Sequence, residues 1–164
     1  MTTVELPTAK YDSINVPALM NWILELESGK TEQGHHRLHT VDNGTDKLCC
    51  LGVVSRQLVE PLDLAVSQLD YGLGISKVSY NGVGGFAPFS VLNHIGIPPS
   101  HREDRDSGYT VLVSVDEAVA ERLNEKFGLE HWSLGELISV HLLNDNKFSF
   151  VEIAALLRKE FLNA

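Results

Sequence analysis

Cys49 and Cys50 are the only cysteines in the chain, and they stand side by side in Leu48-Cys49-Cys50-Leu51-Gly52-Val53-Val54. A thiol at a helix N-terminus has its thiolate favoured by the dipole, and an imidazole beside it completes the nucleophile of a cysteine hydrolase or transferase. His94, His131 and His141 are the candidate bases, with His141 the one placed in an apolar helix-forming stretch. The same run also reads as core, because cysteine is among the most buried residue types and behaves as a small hydrophobe. Packing is the reading taken, and thiol chemistry is the alternative. Adjacent Cα atoms sit only ~3.8 Å apart, closer than a relaxed disulfide allows, so the pair reads as free thiols in a reducing compartment.

Two other groupings have the residue types for chemistry. His35-His36-(x)2-His39 places imidazoles where a helix would bring His35 and His39 to one face, as a Zn²⁺ site needs. The polar surroundings, with Gly34 just before, suit a loop or strand instead, and neither CxxC nor HExxH accompanies the cluster; no metal is expected. Gly72, Gly74, Gly82, Gly84 and Gly85 lie among Tyr71, Tyr80, Phe86 and Phe89. Aromatic rings beside flexible glycines are what a stacking pocket for a nucleotide-like ligand requires, and also what turns and a core require. No phosphate-loop or dinucleotide motif is present, and no cofactor is implied. Gln33, Asn144 and Asp145 carry ligand-capable groups, but Asn and Asp at 144–145 suit the tight turn between two helices. Arg102-Glu103-Asp104-Arg105-Asp106 reads as a solvated loop.

The elements that must position these residues follow from periodicity and punctuation. Residues 1–14 read as an extended lead-in. Asn15-Val16-Pro17 opens an amphipathic helix carrying Leu19, Trp22, Ile23 and Leu26, closed by Ser28-Gly29. Asn43-Gly44 predicts a hairpin between strands near 37–41 and from Lys47 onward. Leu48 to Val59 reads as a buried helix capped by Asp46 and stopped by Pro61, with Gly52 allowing a close approach. The stretch 60–112 reads as Gly-rich loops and short strands around Ile75–Tyr80 and Tyr109–Val113. Pro88 opens a short helix within it that ends at Gly96. Ser114, Ser133 with Glu136, and Ser149 with Glu152 are helix starts, giving helices over 114–162 and an antiparallel closing pair across Asn144-Asp145-Asn146-Lys147. The expected fold is α+β: a helix-dominated single domain, 1–164, with a small antiparallel sheet and a C-terminal helical hairpin.

Three ordered segments resemble a family of small, mostly uncharacterised tailed-phage proteins. They are Trp22-(x)5-Ser28-Gly29-Lys30-(x)2-Gln33-Gly34-(x)3-Leu38, Leu48-Cys49-Cys50-Leu51-Gly52-Val53-Val54, and Leu142-Leu143-Asn144-Asp145-(x)4-Phe150-(x)2-Ile153-Ala154. The family's cysteine block continues into Leu-Cys-Asp/Glu, where this chain has Val54-Ser55-Arg56. The resemblance implies a phage accessory protein in the cytoplasm of the infected host and brings no activity with it.

The chain has 164 residues, 43% of them hydrophobic, and a formal charge of −9. A chain of this length buries roughly 70% of its unfolded surface and needs no disulfide or metal to hold a core. The acidic balance disfavours nucleic acid, whose sequence-independent binding depends on Lys and Arg. Carboxylates interspersed with basic residues also argue against DNA mimicry. No apolar run approaches the ~20 residues of a membrane span, and the start lacks a signal peptide's basic and apolar regions. The expected function is non-catalytic binding of a host protein or of a small host-derived, nucleotide-like ligand. A minor virion component is a further alternative, without the repeats or coiled coils of fibres.

Overall fold

The computed structural model describes residues 5–105, 108–127 and 132–163. Helix α1, Val16–Glu27, begins where expected: the Asn15 side chain accepts the Ala18 N–H and Pro17 sits in the first turn. Its face of Leu19, Trp22, Ile23 and Leu26 is buried against α2, Cys50–Gln57, and α7, Phe150–Phe161. The Trp22 indole N–H donates to the Cys50 carbonyl at 2.9 Å, which orients the α1–α2 contact.

Strands β1 (Glu32–Gln33), β2 (His39–Asp42), β3 (Thr45–Leu48), β4 (Val66–Asp70) and β5 (Ile75–Tyr80) form one sheet, in the order β1-β3-β2-β5-β4. All its pairs are antiparallel except β1 with β3. The β2–β3 turn is Asn43-Gly44, both at positive φ as a two-residue hairpin demands. A second sheet, in the order β6-β7-β8, joins Arg102–Arg105, Gly108–Ser114 and Leu137–Ser139. The short helices α3 (Val59–Leu62), α4 (Phe89–Ile95) and α6 (Val140–Asp145), with α5 (Glu117–Phe127), complete an α+β fold around one buried apolar cluster.

Several boundaries differ from those expected. Leu48 ends β3, and the following helix starts at Cys50 with Cys49 in the cap position; Asp46 is a strand residue. Pro61 lies inside α3 after a break at Leu58. The charged stretch at Arg102–Arg105 is a strand because its backbone pairs with β7 while its side chains stay largely in water, so no apolar alternation marks it. Ser114 ends β7, and Asp116 caps α5 by accepting the Val119 N–H at 2.9 Å. Glu136 does accept the Ser133 N–H, but the segment is a turn entering β8, because the apolar residues after it pair with β7. The closing hairpin therefore pairs a short α6 with a long α7. There the capping box of Ser149 and Glu152 is complete. Ser149→Ala is expected to cost about 1 kcal/mol, read as a lower urea midpoint with unchanged slope.

Candidate functional site

Strand alternation places His39 and Val41 of β2, Asp46 of β3, Val66 and Gln68 of β4, and Val78 and Tyr80 of β5 on one face of the larger sheet. Arg56, Val59 and Glu60 of the α2–α3 junction face it from the other side. Between them lies an open groove of about 610 Å³. Valines make its walls and a polar cluster makes its floor.

That cluster is a chain of two hydrogen bonds. The His39 ring has Nε2 2.7 Å from Asp46 Oδ1 and Nδ1 2.7 Å from the Tyr80 hydroxyl. A carboxylate only accepts, so Nε2 carries the proton; in the neutral ring Nδ1 then accepts the phenolic O–H. His39 and Tyr80 are buried, whereas the Asp46 side chain is about half exposed (53%), which leaves carboxylate surface open to the groove. Burial pushes the Tyr80 phenol up to about 12, against a smaller lowering by Arg56. At neutral pH the phenol is a donor and not a base. Arg56 is itself held by a 3.1 Å bond from Nη2 to Thr31 Oγ1. The arrangement suits recognition: apolar walls with convergent polar anchors. Tyr80→Phe leaves the buried Nδ1 without a donor and is expected to cost roughly 1–3 kcal/mol in chemical denaturation.

The structure brings together His39 and Tyr80, which the sequence had suggested for different roles. It separates the other aromatic candidates. Tyr71 is exposed, with the Lys77 ammonium 4.2 Å from its ring centre. Phe89 is half exposed beside Tyr109, and Phe86 packs on His141 with centroids 4.5 Å apart. His35 lies beside His36, and both ring nitrogens of His39 are already engaged. Among the described residues no group of three or more His, Cys, Asp or Glu side chains is placed to hold a metal ion.

Cys49 and Cys50 are wholly buried free thiols. Burial pushes the Cys49 thiol up to about 12 and the Cys50 thiol well above its ordinary value, so the dipole at the α2 start is outweighed. The Cys50 thiol faces the Val140 carbonyl at 3.6 Å, and among the described residues neither sulfur is hydrogen-bonded to a histidine. His94 lies at the end of α4, where its carbonyl accepts from Asn15 Nδ2. His131 lies outside the described residues.

His141 Nε2 is 3.1 Å from Asp145 Oδ2, and Asp145 also accepts the His36 backbone N–H at 2.7 Å. Burial alone would raise the Asp145 carboxyl, but these bonds and the two imidazoles hold it below the ordinary carboxylate value. A carboxyl with a depressed folded pKa contributes stability above the unfolded pKa and loses it as pH falls through the folded one. The stability lost on acidification below about pH 4 is therefore expected to shrink in Asp145→Asn, measured by urea unfolding across pH.

Asn144 does more than make the turn. Its Oδ1 accepts from the Cys50 N–H at 3.1 Å and from Gln33 Nε2 at 3.0 Å, and its Nδ2 donates to the Gly34 carbonyl at 2.8 Å. Gln33 also donates to the Phe148 carbonyl at 2.7 Å. One buried amide thus joins α6, β1 and the start of α2, which accounts for Gln33 and Asn144, two of the polar residues within the family-like segments. Compared with family models, curated proteins and solved structures, the chain matches none of them. Among the described residues no helix is long and apolar enough to cross a membrane.

Proposed function

We propose that this chain is a phage-encoded accessory protein that binds a small host-derived ligand in the groove between the larger sheet and the α2–α3 junction, in the cytoplasm of the infected host. The observation that carries the reading is the Asp46–His39–Tyr80 chain at the floor of a valine-walled groove. Apolar walls give a flat or aliphatic ligand body its burial, and Asp46, Gln68, Glu60 and Arg56 offer it both acceptors and donors. The raised phenol and thiol values support binding over proton transfer or nucleophilic attack. The family-like segments support the phage setting.

Native mass spectrometry of protein purified from expressing cells, followed by ligand-observed NMR with free bases, nucleosides and nucleotides, tests the reading. Val66 is half exposed at the groove wall, so Val66→Trp fills the site without loading the core. It is expected to weaken binding at least about tenfold, the order of one lost apolar contact or a steric block. Absence of any retained or added ligand, or binding that Val66→Trp leaves unchanged, sinks the proposal.

A protein partner is the second reading, favoured by the exposed β4–β5 hairpin. Leu69 on the edge strand β4, which has no lysine or proline, and Tyr71 and Leu73 in the turn after it are 62%, 54% and 96% exposed. Leu73→Asp would then abolish capture of that partner while leaving ligand binding intact.

A further inference from the structure

Away from the groove, the 3-10 turn Pro99–His101 brings His101 against α7, with Ser100 beside it at the surface. Ser100 Oγ lies 2.8 Å from His101 Nδ1, and His101 Nε2 lies 2.8 Å from Glu160 Oε1. The serine is exposed, and the His101 and Glu160 side chains are 8% and 12% exposed. Glu160 is held in turn by the Ser114 N–H at 2.9 Å and the Ser114 hydroxyl at 3.0 Å. The rings of Tyr11 and Phe161 lie 5.0 and 5.4 Å from that of His101 and fix its plane.

This geometry decides the tautomer. The carboxylate accepts a hydrogen bond from Nε2–H, so the ring keeps its proton there and the Nδ1 lone pair is directed at the serine hydroxyl. A nucleophile hydrogen-bonded to a base whose other nitrogen is fixed by a buried carboxylate is the arrangement that activates serine, recognised by geometry and roles whatever the order in the chain. We propose that Ser100 is an activated nucleophile, with His101 as its base and Glu160 as the positioning residue, and that it accepts an acyl group from a small activated donor, an ester or thioester with a good leaving group.

In that step the Ser100 Oγ lone pair forms a bond to the acyl carbon and the bond from that carbon to the leaving group breaks. The hydroxyl proton passes to His101 Nδ1, and from there to the departing group or to water. The turn explains why the donor must be activated. Pro98 and Pro99 have no N–H, and the His101 and Arg102 N–H groups are given to the Pro98 and Pro99 carbonyls. Among the described residues the Ser100 N–H is thus the one amide of the turn not committed to a carbonyl, and a single donor stabilises a developing oxyanion only in part. The product is therefore an acylated Ser100, a modification of the chain distinct from ligand binding in the groove.

Reaction of the full chain with p-nitrophenyl acetate, and separately with a fluorophosphonate, followed by intact mass and peptide mapping, tests the assignment. The expected result is one adduct on Ser100, formed at least about tenfold faster than at exposed Ser67 on β4, since a positioned base is worth upward of that factor. Ser100→Ala, a surface change, is expected to remove the adduct. Glu160→Gln is expected to slow labelling by about tenfold or more while the protein remains folded by circular dichroism, which a merely structural His101–Glu160 pair would not do. If Glu160→Gln does not fold, the pH profile of Ser100 labelling replaces it: a rise with loss of one proton supports the base, a flat profile overturns it. Equal labelling of Ser100 and Ser67, or labelling unchanged in a folded Glu160→Gln, overturns the assignment.

Discussion

Gly52→Ala is expected to destabilise the protein by at least about 3 kcal/mol, the upper part of the range for overpacking. A Cβ at position 52 would overlap the Leu38 carbonyl oxygen and come within 2.7 Å of its carbon. Those are backbone atoms, and they cannot swing away as the end of a side chain could. The Leu38 carbonyl also accepts the Cys49 N–H at 3.1 Å, and the Leu38 N–H donates to the Gly84 carbonyl at 2.8 Å. Retreat of Leu38 would break both bonds and displace a side chain that is wholly buried. For a domain of this size the loss corresponds to a fall in Tm of about 6–12 °C. Gln57→Ala, at the half-buried end of the same helix, gives up one bond to the Asn21 carbonyl and is expected to cost only about 1 kcal/mol, a clearly smaller fall in Tm. A Gly52→Ala protein that melts within about 2 °C of the parent would refute the close approach.

Asn144→Ala is expected to cost about 3 kcal/mol or more, because it strands the Cys50 N–H and the Gly34 carbonyl in the core; a group left unsatisfied there costs roughly 1–3 kcal/mol. Gln33 retains its bond to Phe148, so its own loss is smaller. Asn144→Asp separates shape from chemistry. It keeps both acceptor roles, but an ionised carboxylate cannot donate to Gly34 and carries charge into a fully buried site. Burial raises the folded pKa of such a carboxyl above its unfolded value, so the deficit is greatest at neutral pH and is relieved as the group protonates on acidification. Chemical denaturation at pH 7 and pH 5 reads this directly. A deficit in Asn144→Asp that does not shrink at the lower pH would refute the cost of burying its charge.

Local signals were legible wherever the partner of a residue lies within a few positions. Asn15 with Pro17, the Asn43-Gly44 turn, and Ser149 with Glu152 each act over about one turn of chain, Pro88 and Gly96 each punctuate the residues next to them, and all appear in the structure as read. The reading failed where a local cue competed with a distant pairing. Ser114 and Ser133 have the chemistry of caps, yet β7 and β8 claim the residues around them because strand pairing there completes a sheet over the core. Arg102–Arg105 becomes a strand for the same reason, with nothing apolar to announce it. Gly52 was legible as a point of close approach; that the approaching chain is Leu38 was not.

The candidate site was visible only in pieces. In the sequence His39 is a metal candidate, Tyr80 part of an aromatic pocket and Asp46 a helix cap; strand register makes them one hydrogen-bonded chain. Ser100, His101 and Glu160 gave no signal at all, since Glu160 comes from a helix some sixty positions away. The amino-acid sequence by itself determined the class of fold, several element ends and the burial of Leu48–Val54, because composition, periodicity and capping act between near neighbours. Only the tertiary structure decided which polar groups meet. Hydrogen bonds need contact within about 3 Å, and contact between residues far apart in the chain depends on how the sheets and helices close upon one another.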